Sequence, residues 1–479
     1  MHVTAQLGAL AVLALAALVP ACSAEAAIRR QVVVVIDTDA SALDDLAADP
    51  ELSGASAVDT LRVDVLDEGG GVRVFREFAA TSHFDWPLSF ALVPPEQGDV
   101  QPTTLRIRAF RARDAEATVE ASLPTLAPLP ELAIDRVVVI PAPTREQVVR
   151  VRVDLSVECM GRPASFRDRT SCVDGGRPAM PFDSTLPSGS PALPSRLGTS
   201  PLARSLPCAQ AASSGRICVP GGLSVLGSSA VAGLEDGTNI LSPLPMRLVR
   251  VSPFFMDETE LTVGRARPLL ERVRTPPVRK GGAELVDSAY CTLEDAKGAD
   301  QLPLNCIGEE TAGELCALLG GALPTEAEWN HAATGRGQAR RYPWGNSDQG
   351  CCNVSAGRLS RIFPDKQQCE GEGVEPVGAH RPSAACAGFG DVSRDGVLDL
   401  GGSLAEVLAD RARPLDDPCW GPRFGILVDP VCMLPTAVGT ATRGGRWAAG
   451  SVNAVGALRG AVERSSTRGV RCVYREAAR

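Results

Sequence analysis

The sequence predicts a multidomain protein: an N-terminal all-β sandwich of immunoglobulin-like type, then an irregular α+β domain. Three observations carry this. From about Arg30 to Cys159, short runs alternate apolar and charged residues; at 160–216 a Pro-, Gly- and Ser-rich stretch breaks the pattern; beyond Cys218 a few short helices stand among long Gly-rich segments. At 479 residues the chain exceeds one ordinary domain, and 44% apolar content suffices for real cores.

The first thirty residues read MHVTAQLGALAVLALAALVPACSAEAAIRR, an apolar run short of a membrane span that ends in small residues, as an export signal does. Its close, Leu18-Val19-Pro20-Ala21-Cys22, resembles the bacterial lipobox, in which the cysteine is acylated and becomes the new N-terminus. Residues 1–22 are therefore expected to be a signal peptide and Cys22 the lipidation site. That makes the mature chain an exported, membrane-anchored lipoprotein of the bacterial cell envelope. A plain periplasmic or secreted protein is the alternative, because no Lys or Arg precedes Cys22.

Between 30 and 159 the candidate strands are QVVVVIDTD, TLRVDVL, GVRVFREF, LSFALVP, TTLRIRAFRA, ATVEASL, DRVVVIP and QVVRVRVDLSV. Strict alternation, as in Leu105-Arg106-Ile107-Arg108, puts apolar side chains on one face and charged ones on the other. Eight such strands suggest an immunoglobulin-like sandwich, a fold that names no ligand. Residues 160–216 read as a linker, stapled in part by cysteines. Two helices are then well specified. In LPTEAEWNHAATG, Thr325 caps the helix, Glu328 reaches back to the cap amide, and Gly335 stops it. In GEETAGELCALLGG, Ala312, Leu315 and Leu319 share a face beside Cys316 and the helix ends at Gly320-Gly321.

Forty-eight basic against fifty-seven acidic residues give a net charge of -9, and no Lys/Arg block occurs, which excludes a nucleic-acid partner. Setting Cys22 aside, fourteen of the fifteen cysteines remain, an even number that in an exported chain reads as up to seven disulfides. Local spacing suggests Cys159 with Cys172, Cys208 with Cys218, Cys291 with Cys306 and Cys419 with Cys432. Zinc is disfavoured: there is no Cys-x-x-Cys pair, and the four histidines are scattered.

Eight collinear segments carry a resemblance. They are VPGGLSVLGS (219–228), FFMDETELT (254–262), LPTEAEWNHAATG (323–335), YPWGN (342–346), EPVGAH (375–380), DGVLDLGGSLAEVLAD (395–410), RGGRW (443–447) and GVRC (469–472). In order, residues 217–475 resemble the formylglycine-generating enzyme, or sulfatase-modifying factor, family, whose fold is an irregular α+β relative of C-type lectins. The family's oxidases convert a sulfatase cysteine to formylglycine with oxygen and a copper ion held by two thiolates, ligands that select Cu(I). Those cysteines lie two and seven residues past the aromatic of the Gly-Gly-x-aromatic turn, here Gly444-Gly445-Arg446-Trp447. The corresponding residues are Ala449 and Ala454, which can neither bind copper nor form a mixed disulfide with substrate.

The resemblance also implies a structural disulfide between Cys316 and Cys472. It allows calcium: Glu406 and Ser403, in Gly402-Ser403-Leu404-Ala405-Glu406, stand where family members place calcium ligands, and Asn353 stands where a second site begins. The Asp that would match Asn353 is not evident around Glu370 and Glu372, and both tryptophans of the family's Gly-Asn-x-Trp-Glu-Trp segment are missing. The iron-dependent sulfoxide synthases of the wider family need clustered histidines, which this chain lacks; His331 and His380 stand alone. The resulting expectation is a catalytically degenerate domain used for binding or structure. Its ligand would be an unidentified protein, peptide or glycan, held in a cleft near Arg446, Trp447 and Asn453. The alternative is a working formylglycine-generating oxidase that draws its thiols from elsewhere, for example the vicinal pair Cys351-Cys352.

Overall fold

The structure is a computed structural model. It describes residues 31–42, 56–93, 101–142, 148–173, 177–179, 185–186, 194–228 and 240–476, apart from 121, 169, 295–297, 339, 348–349, 360–368, 436–438 and 462–463. Cys22 and the expected signal segment lie outside the described residues.

Each of the eight alternating runs contains a strand: Gln31–Thr38, Thr60–Leu66, Val72–Ala79, Leu88–Leu92, Thr103–Phe110, Ala115–Glu120, Ile134–Ile140 and Val148–Leu155. Seven of them fall into two four-stranded sheets. One orders Thr185–Leu186, Val148–Leu155, Gln31–Thr38 and Leu88–Leu92; the other orders Ile134–Ile140, Thr103–Phe110, Thr60–Leu66 and Val72–Ala79. Gln31–Thr38 runs parallel to Val148–Leu155, with Val34 opposite Val151, and the remaining pairings in both sheets are antiparallel. Val34, Ile36, Val151 and Val153 of the first sheet share one buried cluster with Leu61, Val63, Ile107 and Val138 of the second.

The charged face of the second sheet is not left to solvent. Ala115–Glu120 pairs with Leu123–Pro128, a strand whose two prolines conceal it in the sequence, and this hairpin covers the face. Beneath it Arg62, 1% exposed, donates to Asp64 (2.7 Å) and to Thr125 (2.6 Å). Arg106 donates to Asp135 (2.6 Å) on the neighbouring strand. Part of the Pro-rich stretch is docked as well: Ser195 and the Arg196 amide bond Asp37 (2.9 and 2.8 Å), and Gly198 bonds the Ala40 carbonyl.

The C-terminal domain is held by three small sheets. Arg216–Val219, Phe254–Asp257 and Val473–Arg475 bring its two ends together. Gly222–Leu226, Arg247–Val251 and Leu427–Val428 form the second sheet. The third has five strands, ordered Ile240–Leu241, Arg459–Ala461, Thr440–Arg443, Ala405–Arg411 and Arg468–Gly469. The helix Glu326–Ala333 starts as its capping box requires, with Glu328 N donating to Thr325 Oγ1 and Thr325 N to Glu328 Oε2; Gly335 follows at φ +72°. The helix Glu309–Leu318 buries Ala312, Leu315 and Cys316.

All fourteen cysteines beyond Cys22 are paired. The four local pairs form, Cys316 joins Cys472, and Cys351 and Cys352 join Cys369 and Cys386 respectively. The two halves of the chain abut: Leu223, Met246 and Leu248 pack into the N-terminal core, and Arg111 donates to the Gly337 carbonyl (2.8 Å).

Candidate functional site

The region that would carry chemistry is built on a buried ion cluster. Glu326, the first residue of its helix, has no exposed surface and receives Arg459 Nη2 (2.9 Å) and Arg443 Nε (3.1 Å). Burial alone would raise the Glu326 pKa, but Arg459 and Arg443 outweigh it and hold the carboxyl below its ordinary range. Arg443 also donates to Asn330 Oδ1 and to the Gly456 carbonyl, both at 3.0 Å, so it ties the helix to both sides of the Gly-Gly turn.

That turn meets a second glycine pair. Gly444 takes φ +88°, and Gly445 donates its amide to the Gly401 carbonyl at 3.0 Å. A Cβ on Gly445 would overlap that carbonyl oxygen, which is why the two Gly-Gly motifs meet backbone to backbone. Asp391 Oδ2 accepts the amides of Gly401 (2.9 Å) and Gly402 (3.2 Å) and so fixes the opposite loop. Burial, and then the neighbouring Asp399, push Asp391 up to about 8. Nothing in the sequence marked this residue: an acid ten positions before a glycine pair has no local signature.

Past the turn, Trp447 N donates to the Ser403 carbonyl (2.8 Å), while Gly357 N and Arg358 N donate to the carbonyls of Ala449 (2.7 Å) and Trp447 (2.9 Å). The loop is thereby clamped from both sides. Ala449 is 8% and Ala454 1% exposed, and Ala454 sits in an apolar cluster with Tyr342, Val354, Ala356, Val455 and Leu458. Both positions are small, buried and apolar. They supply no copper ligand, and a two-thiolate copper site does not fit here.

Three further expectations change. Trp447 does not wall an open cleft: it is 2% exposed, its indole N–H is bonded to the Ser466 carbonyl (3.2 Å), and its ring packs on Tyr290 at 5.1 Å. Arg446 is half-buried beside it, and the Asn453 side chain lies outside the described residues. The vicinal Cys351-Cys352 pair offers no thiols, since each sulfur is bonded elsewhere. The Glu406 carboxylate, expected at a calcium site, is fully buried with both oxygens engaged: Oε2 accepts Trp329 Nε1 (2.7 Å) and Oε1 accepts Arg471 Nε (2.8 Å), so a guanidinium is its partner.

Ser403 and Asn353 are also buried, and Asn353 donates its side-chain amide to the Gly390 carbonyl (3.3 Å). Among the described residues no group of three or more His, Cys, Asp or Glu is placed to hold a metal ion. His331 is fully buried, its Nε2 2.9 Å from the Pro220 carbonyl, and burial lowers it to about 4. His380 pairs with Glu375 (2.9 Å); burial opposes its charge, but Glu375 prevails and raises its pKa.

Paired glycine loops, a capped Thr-Glu-Ala-Glu-Trp helix and a disulfide from the preceding helix to the C-terminal strand define a class of scaffold. Residues 204–476, more than half of the chain, match the sulfatase-modifying factor enzyme 1-like domain, and the chain belongs to this family. Inactive C-alpha-formylglycine-generating enzyme 2 of Mus musculus is 33% identical over 115 residues, covering 24% of this chain and 34% of that protein. Formylglycine-generating enzyme of Streptomyces coelicolor is 27% identical over 207 residues, 35% of this chain and 63% of that one. The chain thus spans about a third of the mouse relative and less than two thirds of the bacterial one. Among solved structures, PvdO from Pseudomonas aeruginosa aligns with 54% of this chain and 93% of its own at 18% identity and TM-score 0.39.

Proposed function

We propose that this is a catalytically degenerate sulfatase-modifying-factor domain that binds a partner or serves structure, carried on an exported, lipid-anchored chain behind an immunoglobulin-like sandwich. The observation that carries the reading is the pair Ala449 and Ala454, buried methyls at the positions where the family's oxidases hold their two reactive cysteines. Mixed-disulfide capture of a substrate thiol and Cu(I) ligation both need sulfur at those positions. Every other cysteine beyond Cys22 is engaged in a disulfide. The family also includes relatives named as inactive, to which this chain is similar. The proposed ligand is a protein, peptide or glycan met by the loop-built face around Arg446, with Trp447 as its internal support.

Incubating the purified protein with copper, oxygen and a peptide containing Cys-x-Pro-x-Arg should leave the peptide mass unchanged. Conversion of the peptide cysteine to an aldehyde, trapped by a hydrazide, would overturn the reading in favour of a working oxidase.

Anchoring rests on the Leu-Val-Pro-Ala-Cys end of the signal segment. Metabolic labelling with a fatty-acid analogue should mark the wild type and not Cys22→Ser; equal labelling of both would remove the anchor from the proposal.

A further inference from the structure

The paired strands Gly222–Leu226 and Arg247–Val251 carry apolar side chains on both faces. Side chains alternate along a strand, so the two sets point in opposite directions. Leu226, Val249 and Val251 enter the family domain's own core beside Trp329. Leu223, Val225 and Leu248 point the other way and, with Met246, pack into the core of the N-terminal sheets. An antiparallel sheet with one face in water shows polar residues on that face. This one shows valine and leucine, so the family domain by itself would present an apolar face to solvent.

The N-terminal sheets cover that face closely. A cavity lined by Ala57, Leu132 and Met160 from one side and Leu223, Val225 and Leu248 from the other measures about 20 Å³, room for a single water molecule. Polar contacts around this apolar centre fix how the halves sit. Arg111 donates to the Gly337 carbonyl (2.8 Å) and Arg113 to the Gln338 carbonyl (3.0 Å), so the segment holding the turn Ala112–Asp114 grips the loop after the capped helix. Elsewhere on the seam Gly425 N donates to the Gly161 carbonyl (3.1 Å). A Cβ on Gly161, which takes φ +73°, would lie 2.8 Å from the Glu131 carbonyl oxygen and 3.0 Å from Gly425 N, so the two backbones meet directly. Toward Arg113 and Arg340 the seam widens into a cavity of about 290 Å³.

Domains joined by a linker move independently unless their interface is large and hydrophobic. Here the interface is a shared apolar core. We infer that the N-terminal sheets are the fixed covering partner of the sheet formed by Gly222–Leu226 and Arg247–Val251, so that both halves unfold as one unit and stay joined when the linker is cut. The N-terminal region is then neither a spacer nor a free adhesion module: it completes the family domain and carries its loops at one orientation. The inference holds whether or not oxidase activity is lost and whether or not Cys22 carries lipid.

A site-specific protease sequence inserted between Gly189 and Ser190 allows the full chain to be cut after folding. No disulfide crosses this cut: Cys159–Cys172 lies before it and the other six lie after it. The two fragments should elute together at micromolar concentration, and the uncut protein should unfold in one calorimetric transition. Ser195 and Arg196, docked on Asp37, stay with the C-terminal fragment, and the variants Leu248→Ala and Met246→Ala leave that docking intact. Each variant should weaken the association of the fragments by about tenfold or more, as truncation of a buried side chain does. Three results would each overturn the inference: fragments that separate at micromolar concentration, two independent transitions in the uncut chain, or association unchanged by both variants.

Discussion

Glu406 and Arg471 form a fully buried pair, with Arg471 Nε and Nη2 both 2.8 Å from Glu406 Oε1, and Trp329 Nε1 occupying Oε2. Arg471 extends to the carbonyls of Asp257 (3.0 Å) and Leu398 (2.8 Å), so one guanidinium joins three segments of the domain. Removing one partner of such a pair strands the other charge away from water. Glu406→Gln should cost about 3–5 kcal/mol, measured by denaturant unfolding. Any Tm shift on adding millimolar calcium should be the same in wild type and variant. A calcium-dependent Tm rise lost only in Glu406→Gln would restore this carboxylate as a ligand.

Seven disulfides leave no free thiol beyond Cys22. Alkylation in guanidinium without reductant should therefore modify at most one cysteine per chain. Tryptic mapping should find the peptide that carries Cys351 and Cys352 joined by two disulfides to the one that carries Cys369 and Cys386. Two or more labelled cysteines would reopen the search for reactive thiols.

Asp391 predicts a pH dependence. Its folded value is about 8, against 3.8 for an ordinary aspartate, because burial and Asp399 outweigh the Gly401 amide, His380 and Arg471. The folded state thus holds a proton that the unfolded state has released. The resulting stabilisation is complete below pH 3.8 and is lost as pH rises through about 8. His331, lowered to about 4 by burial, works in the opposite sense, costing stability as pH falls from 6.5 toward 4. Asp391→Asn mimics the protonated acid and leaves His331 unchanged. Between pH 5 and 8, wild type should lose stability relative to this variant; parallel Tm profiles would contradict the assignment.

Much of this protein was decided locally and could be read from its residues. A period of two specifies a strand and which side chains share a face, so Thr60–Leu66 was legible as a strand. A Thr with a Glu three positions on satisfies the orphan amides of a helix start, so Thr325 and Glu328 marked theirs. Ala449 and Ala454 have no sulfur whatever surrounds them. The tertiary structure alone decided what covers each face and which charges meet. Alternation showed that Arg62 and Asp64 point the same way, but only the hairpin Ala115–Pro128 buries them. Partners such as Glu406 and Arg471 lie 65 positions apart, and Arg113 and Arg340 reach one cavity from different domains. Local sequence sets backbone preference and side-chain direction, whereas burial and electrostatic pairing follow from long-range packing, which no short window of residues contains.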